Sequence, residues 1–126
     1  MYDDLIYSYT RAQAIEDGFL IEVGPIAQEA GYRVSVALTA ELWGKLNAIP
    51  EDSVDSLEGR LWDLLFMGRF AAAVKARSYD SFEIFYEFLL QRNDLPARPD
   101  LIKVKMVAGP GDNGEPVITI MLPHED

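Results

Sequence analysis

The spacing of apolar residues changes near residue 80. Between about residues 56 and 77, apolar residues recur at the three- and four-residue intervals of a helix that buries one face. The members of this face are Leu57, Leu61, Leu64, Leu65, Gly68 and Ala72. The segment also carries Phe66, Phe70 and Val74 on its other sides, and a helix that is apolar on more than one side is normally central to its domain. The pattern therefore predicts that the longest helix, at about 56–77, lies centrally.

Shorter helices are indicated upstream by their start and stop signals. A side chain that accepts a backbone N–H favours the start of a helix, and glycine or proline favours its end. The starts are Thr10 (with Gln13 completing a capping box), Gly24-Pro25 and Thr39, and the ends are Gly18, Gly31 and Pro50. Between these helices, residues 19–23 predict a short strand, and residues 32–38 predict a strand or an extended segment.

From residue 82 the apolar residues alternate with a period of two. Residues 82–91, 102–106 and 117–122 each have the alternation or the β-favouring composition of a strand. The run 109–116, rich in glycine and proline, is typical of a turn between the last two strands. We therefore expect one α+β domain over residues 1–126, with the helices packed on one face of a C-terminal antiparallel β-meander.

Acidic residues outnumber basic ones, and the formal charge at pH 7 is −10. Such a surface repels phosphate backbones, so we expect no direct binding to nucleic acid. The acidic residues are scattered without a block of five or six. This favours solubility as their role over an acidic face that imitates nucleic acid towards a basic partner, although folding could still gather the charges on one side.

The composition also predicts the environment. There is no cysteine, so disulfides and thiolate metal sites are excluded. The acidic start, Met1 to Asp4, does not have the pattern of a secretory signal, and no apolar run approaches the ~20 residues that span a bilayer. We expect a cytoplasmic protein with no membrane association.

Motifs for catalysis or cofactor binding are weak throughout. The one histidine, His124, lies two residues from the end of the sequence and is a poor candidate for a base or a metal ligand. The glycine-rich run precedes a strand rather than a helix, contains no lysine, and loses an amide at Pro116, so it does not fit a phosphate cradle. We expect no catalytic residue, no metal site and no cofactor.

Two clusters of polar and aromatic residues are the candidate binding residues. Tyrosine, tryptophan and arginine dominate binding hot spots, but they are also common at the boundary of a core with a satisfied polar tip. We favour the second interpretation, in which the aromatic residues belong to the core or its boundary and the arginines are solvated. The candidates are Tyr7, Tyr9 and Arg11 near the N-terminus, and Arg60, Trp62 and Asp63 on the predicted long helix.

Several motifs together resemble a family of bacterial proteins of unknown function that is often carried on plasmids and phages. The motifs are the segments 7–18, 36–39 before Trp43, 59–63 with Arg69-Phe70, and 109–126, whereas 71–100 matches no motif. The resemblance implies no activity, cofactor or catalytic residue. It implies an accessory role on a mobile element.

Three hypotheses of function follow. The first is a non-enzymatic accessory protein that binds a host or element-encoded protein, for example against host defence or by imitating nucleic acid. The second is an enzyme of unrecognised type, with a pocket near Tyr7, Tyr9, Arg11, Arg60 and Asp63. The third is a self-assembling module that pairs with a second copy through an exposed sheet edge. The sequence leaves the oligomeric state open between a monomer and a homodimer.

Overall fold

Short helices and strands alternate up to residue 47, the longest helix follows, and three strands complete the described part of the chain. The computed structural model describes residues 9–48, 57–78, 80–90 and 100–125. The helices are α1 (Arg11–Glu16), α2 (Gly24–Glu29), α3 (Ala40–Asn47) and α4 (Leu57–Lys75). The strands are β1 (Leu20–Glu22), β2 (Ser35–Thr39), β3 (Phe82–Leu90), β4 (Asp100–Pro110) and β5 (Pro116–Met121).

The strands form one mixed sheet in the order β1-β2-β5-β4-β3. The predicted α+β class and the antiparallel β3-β4-β5 meander are confirmed. The sheet is nevertheless larger than the predicted meander, because β1 and β2 extend it beyond β5. Strand β2 pairs with β5 in parallel, with Val36 opposite Ile118, so the complete sheet is mixed although the meander within it is antiparallel.

The predicted signals at the ends of the first two helices are confirmed. At the start of α1, Thr10 Oγ1 accepts the Gln13 N–H at 3.0 Å, and Gln13 Oε1 accepts the Thr10 N–H at 2.9 Å. Gly18 and Gly31, which follow α1 and α2, have φ angles of 83° and 103°, which a residue with a Cβ rarely adopts. Pro50 and the start of the predicted long helix at residue 56 lie outside the described residues.

The core lies between α4 and one face of the sheet. The even-numbered residues of β3 point to this face, as do Val104 and Met106 of β4 and Ile120 of β5. The other face carries Thr119, to which the Arg11 side chain bonds, so α1 contributes a side chain to the face opposite α4. The expectation that the helices share one face therefore does not extend to α1.

Two buried tyrosines connect α4 to the rest of the core. The Tyr32 hydroxyl donates to the Leu65 carbonyl at 2.6 Å, and the Tyr86 hydroxyl donates to the Leu64 carbonyl at 2.8 Å. Burial raises the pKa of both hydroxyls, so both remain protonated donors. The approach is close because Gly68 has no side chain: a Cβ there would lie 2.5 Å from the Tyr86 hydroxyl oxygen.

None of the helices that the structure describes has the length and apolar character needed to cross a membrane.

We expect Gly68→Ala to destabilise the protein although alanine favours a helix by about 1 kcal/mol. The added methyl group must displace the Tyr86 ring or break its hydrogen bond, and overpacking a core typically costs about 1–3 kcal/mol. The net effect on the free energy of unfolding, measured in urea, should be a loss of about 1–3 kcal/mol.

The matched control is Gly44→Ala in α3, where a Cβ would meet no atom within 4 Å. This variant should gain about 0.5–1 kcal/mol from helix propensity. Equal gains in both variants would contradict the close approach at Gly68.

Candidate functional site

Arg11 binds to the sheet face opposite α4 through its side chain. Its guanidinium donates to Thr119 Oγ1 at 2.6 Å and to the Ile118 carbonyl at 2.8 Å. Burial lowers the pKa of Arg11, while Glu22, Asp112 and Glu115 act in the opposite direction. These bonds attach α1 to β5 and occupy one donor on each terminal nitrogen of the guanidinium.

Asp112, in the turn between β4 and β5, caps the start of α1. Its two carboxylate oxygens accept the backbone N–H groups of Arg11 at 2.8 Å and Ala12 at 3.0 Å. The same hydrogen bonds lower the pKa of the Asp112 carboxyl. The glycine-rich run, which the sequence indicates only as a turn, therefore also provides a helix cap from about a hundred residues away.

Tyr9 lies next to this cap and is largely exposed. Its hydroxyl donates to the Asp17 carboxylate, which raises the pKa of Tyr9 to about 12. Its ring meets Phe19 edge to face with 6.3 Å between the centroids. Tyr7 lies outside the described residues.

Arg60 is buried, with only 5% of its surface exposed. Its Nε donates to the Leu46 carbonyl at 3.0 Å, at the C-terminal end of α3. A buried cation at the carbonyl end of a helix is stabilised by the helix dipole and by the bond itself. Arg60 therefore positions α4 on α3 rather than presenting a charge to a partner.

Trp62 and Asp63 lie on the outer side of α4. The Trp62 ring stacks on Phe66, with 6.0 Å between the centroids and 15° between the planes. Residues four apart lie one above the other on a helix, and the row continues beyond Phe66. Its four members, Trp62, Phe66, Phe70 and Val74, are all exposed, and we call them the outer stripe.

The exposure of the outer stripe differs from the sequence expectation. The all-round apolar character of α4 predicted a central helix, but only the side with Leu61, Leu64, Leu65, Gly68 and Ala71 is buried. Phe70 is 63% exposed and Val74 is 70% exposed. The sequence does contain a signal for this exposed side, because Trp62, Phe66, Phe70 and Val74 repeat every four residues as a second apolar row.

The candidate residues that the structure describes do not form one pocket. Arg11 bonds on one face of the sheet, whereas Arg60 lies on the α4 side. The convergence that the enzyme hypothesis requires is therefore absent between Arg11 and Arg60. His124 pairs with Glu41 at 2.9 Å, with both side chains exposed. No group of three or more potential metal ligands occurs among the described residues.

The chain belongs to a family of unknown function, DUF6573, whose model matches residues 2–126. Comparisons with curated proteins and with solved structures find no match. The family provides no activity to transfer to this chain.

The Asp112 cap should make stability depend on pH in the acid range. Because the folded-state pKa lies below the ordinary 3.8, the stabilisation is complete above about pH 4 and is lost as pH falls through the folded value. Asp112→Asn should therefore be less stable than the wild type at pH 7, and the difference should shrink below about pH 4. Urea unfolding at several pH values measures this difference.

Glu29→Gln, which neutralises an exposed carboxylate at the end of α2, is the control and should show no comparable change. A deficit in Asp112→Asn that is the same at all pH values would contradict a role for the ionised carboxylate.

Proposed function

We propose that the protein acts by binding another protein through the outer stripe of α4. The observation that supports this is the exposure of Trp62, Phe66, Phe70 and Val74 in one row on a helix held by the core. Single exposed apolar residues are ordinary, whereas a contiguous apolar patch is typical of an interaction site.

The geometry of the stripe fits recognition by a groove. Twelve residues separate its ends, which at about 1.5 Å per residue gives a row of about 18 Å. Anchors at four-residue intervals are how a helix is held in a hydrophobic groove, and tryptophan is among the strongest anchors. The inner side of α4 is packed against the sheet, so the helix is preformed and does not have to fold on binding.

The stripe supports an apolar contact better than charge mimicry. Both signs of charge flank it: Glu58 and Asp63 towards the start of α4, and Arg69 and Lys75 towards its end. Exposed acidic side chains also occur on β3 and in the turn after β4, away from α4. A partner with an apolar groove and charges of both signs at its rim therefore fits this surface better than a protein that binds nucleic acid.

The cellular setting is also a proposal. The resemblance to proteins of plasmids and phages supports an accessory role in the bacterial cytoplasm, where the partner would be a host or element-encoded protein.

Self-assembly through the edge strand β3 has less support. Lys75 Nζ donates to the Phe85 carbonyl at 2.7 Å, so a side chain already occupies an acceptor on the nine-residue strand. Lysine at an edge is a known protection against strand pairing.

The test is affinity capture from a bacterial host with the double variant Phe66→Gln/Phe70→Gln. We expect the wild type to retain a partner, and the variant to bind that partner at least about tenfold more weakly in calorimetry, because central aromatic anchors commonly contribute about 2 kcal/mol or more. Both positions are exposed, so the circular dichroism and the unfolding midpoint should change little.

The matched control is Phe85→Gln/Leu89→Gln, which removes two exposed apolar side chains from the opposite sheet face. It should leave the affinity unchanged. Loss of the partner in this control, or retention of the same proteins by the stripe variant, would refute the outer stripe as the interface. Analytical ultracentrifugation of the same proteins would show whether the partner is a second copy.

A further inference from the structure

A pocket of about 330 Å³ lies between the second half of α4, the segment 31–34 and the sheet. It is separate from the outer stripe, and the inference drawn from it does not depend on the proposed function. Its walls are mostly apolar, with Ala72 and Ala73 of α4 on one side and Phe82 and Met106 of the sheet below. The small side chains of the helix leave the space that larger ones would fill.

Two arginines and no carboxylate line this pocket. Arg33 comes from the segment after α2, and Arg69 comes from α4. Both side chains are exposed, so their charged ends can lie at the solvent side of the pocket. Among the described residues, neither guanidinium has a hydrogen-bond or ion-pair partner. In a chain with a formal charge of −10, a pocket lined by two arginines and no carboxylate is a local exception.

Arg69 lies against Gly31, which also lines the pocket. A Cβ at Gly31 would lie 2.6 Å from Arg69 Nε, so the side chain passes directly over this glycine. Tyr32, which also lines the pocket, is fixed by its hydrogen bond to the Leu65 carbonyl. The Tyr32 wall is thus held by the same contact that holds α4, and Arg69 already lies beside it over Gly31 without a ligand.

We propose that this pocket binds a small amphipathic carboxylate, with its apolar body against the alanines and Phe82 and its anionic group between Arg33 and Arg69. An apolar pocket of this volume with a few placed polar groups is the usual form of a small-molecule site. Guanidinium groups bind carboxylates through paired, charge-assisted hydrogen bonds. The charge at the mouth selects an anion, and the apolar walls select an aliphatic or aromatic body.

The experiment compares three probes of one size, octanoate, octanol and octylammonium, by calorimetry and by amide chemical shifts. Octanoate should bind with saturation and shift the amides of Gly31, Ala72 and Ala73. Octanol should bind more weakly, and octylammonium should not saturate. Arg33→Gln/Arg69→Gln should weaken octanoate at least about tenfold and leave octanol unchanged, because hydrogen bonds to charged groups are strong.

Two further variants distinguish binding in the pocket from a general effect of positive charge. Ala73→Leu, which occupies the space, should weaken both octanoate and octanol, whereas Arg77→Gln, an exposed arginine outside the pocket, should change neither. Equal binding of the three probes, or the same loss in Arg77→Gln as in the double variant, would overturn the proposal. If a pentapeptide that ends in leucine with a free carboxylate binds more tightly than octanoate, the proposal of a small-molecule ligand is overturned and the ligand is a peptide C-terminus.

Discussion

The close approach of α4 to the sheet at Gly68 is the constraint on which the rest of the structure depends. Tyr32 and Tyr86 reach the helix from different parts of the chain and donate to the successive carbonyls of Leu65 and Leu64. A carbonyl has two lone pairs and can accept a side-chain donor as well as its helical N–H. The buried hydroxyls are thereby satisfied, and since a buried donor without a partner costs about 1–3 kcal/mol, the two bonds specify the position and rotation of the helix.

This rotation determines what α4 presents to solvent. With Gly68 against the sheet, a row on the other side of the helix must face outward, and that row contains Trp62, Phe66 and Phe70. Arg69, next in sequence to the glycine, is directed over Gly31. The apolar stripe and the pocket are therefore two consequences of one packing arrangement, although they lie on different sides of the helix and would serve different ligands.

Local features could be read from the sequence, and long-range ones could not. The capping box of Thr10 and the stop at Gly18 depend on residues a few positions apart, so short patterns predict them. The parallel pairing of Val36 with Ile118 joins segments about eighty residues apart, and nothing in either segment specifies its partner strand. The same holds for Arg11 and Asp112: their residue types indicated binding or turn chemistry, while the fold uses them to attach α1 to the β4–β5 turn and to β5. For Trp62, Phe66 and Phe70, the sequence indicated an apolar helix, but it did not indicate which side of that helix would remain exposed.

The acidic composition is consistent with an exposed outer stripe, because net charge opposes association between copies. An exposed apolar row on a preformed helix favours non-specific association, because burying it removes apolar surface from water. A formal charge of −10 opposes this by like-charge repulsion between copies, and the repulsion acts over about 10 Å at 0.1 M salt. If the outer stripe binds a partner as proposed, that partner must compensate the repulsion with shape and complementary charge. For the proposed role, charges scattered along the sequence fit better than a single block, since a block would attract one particular basic surface.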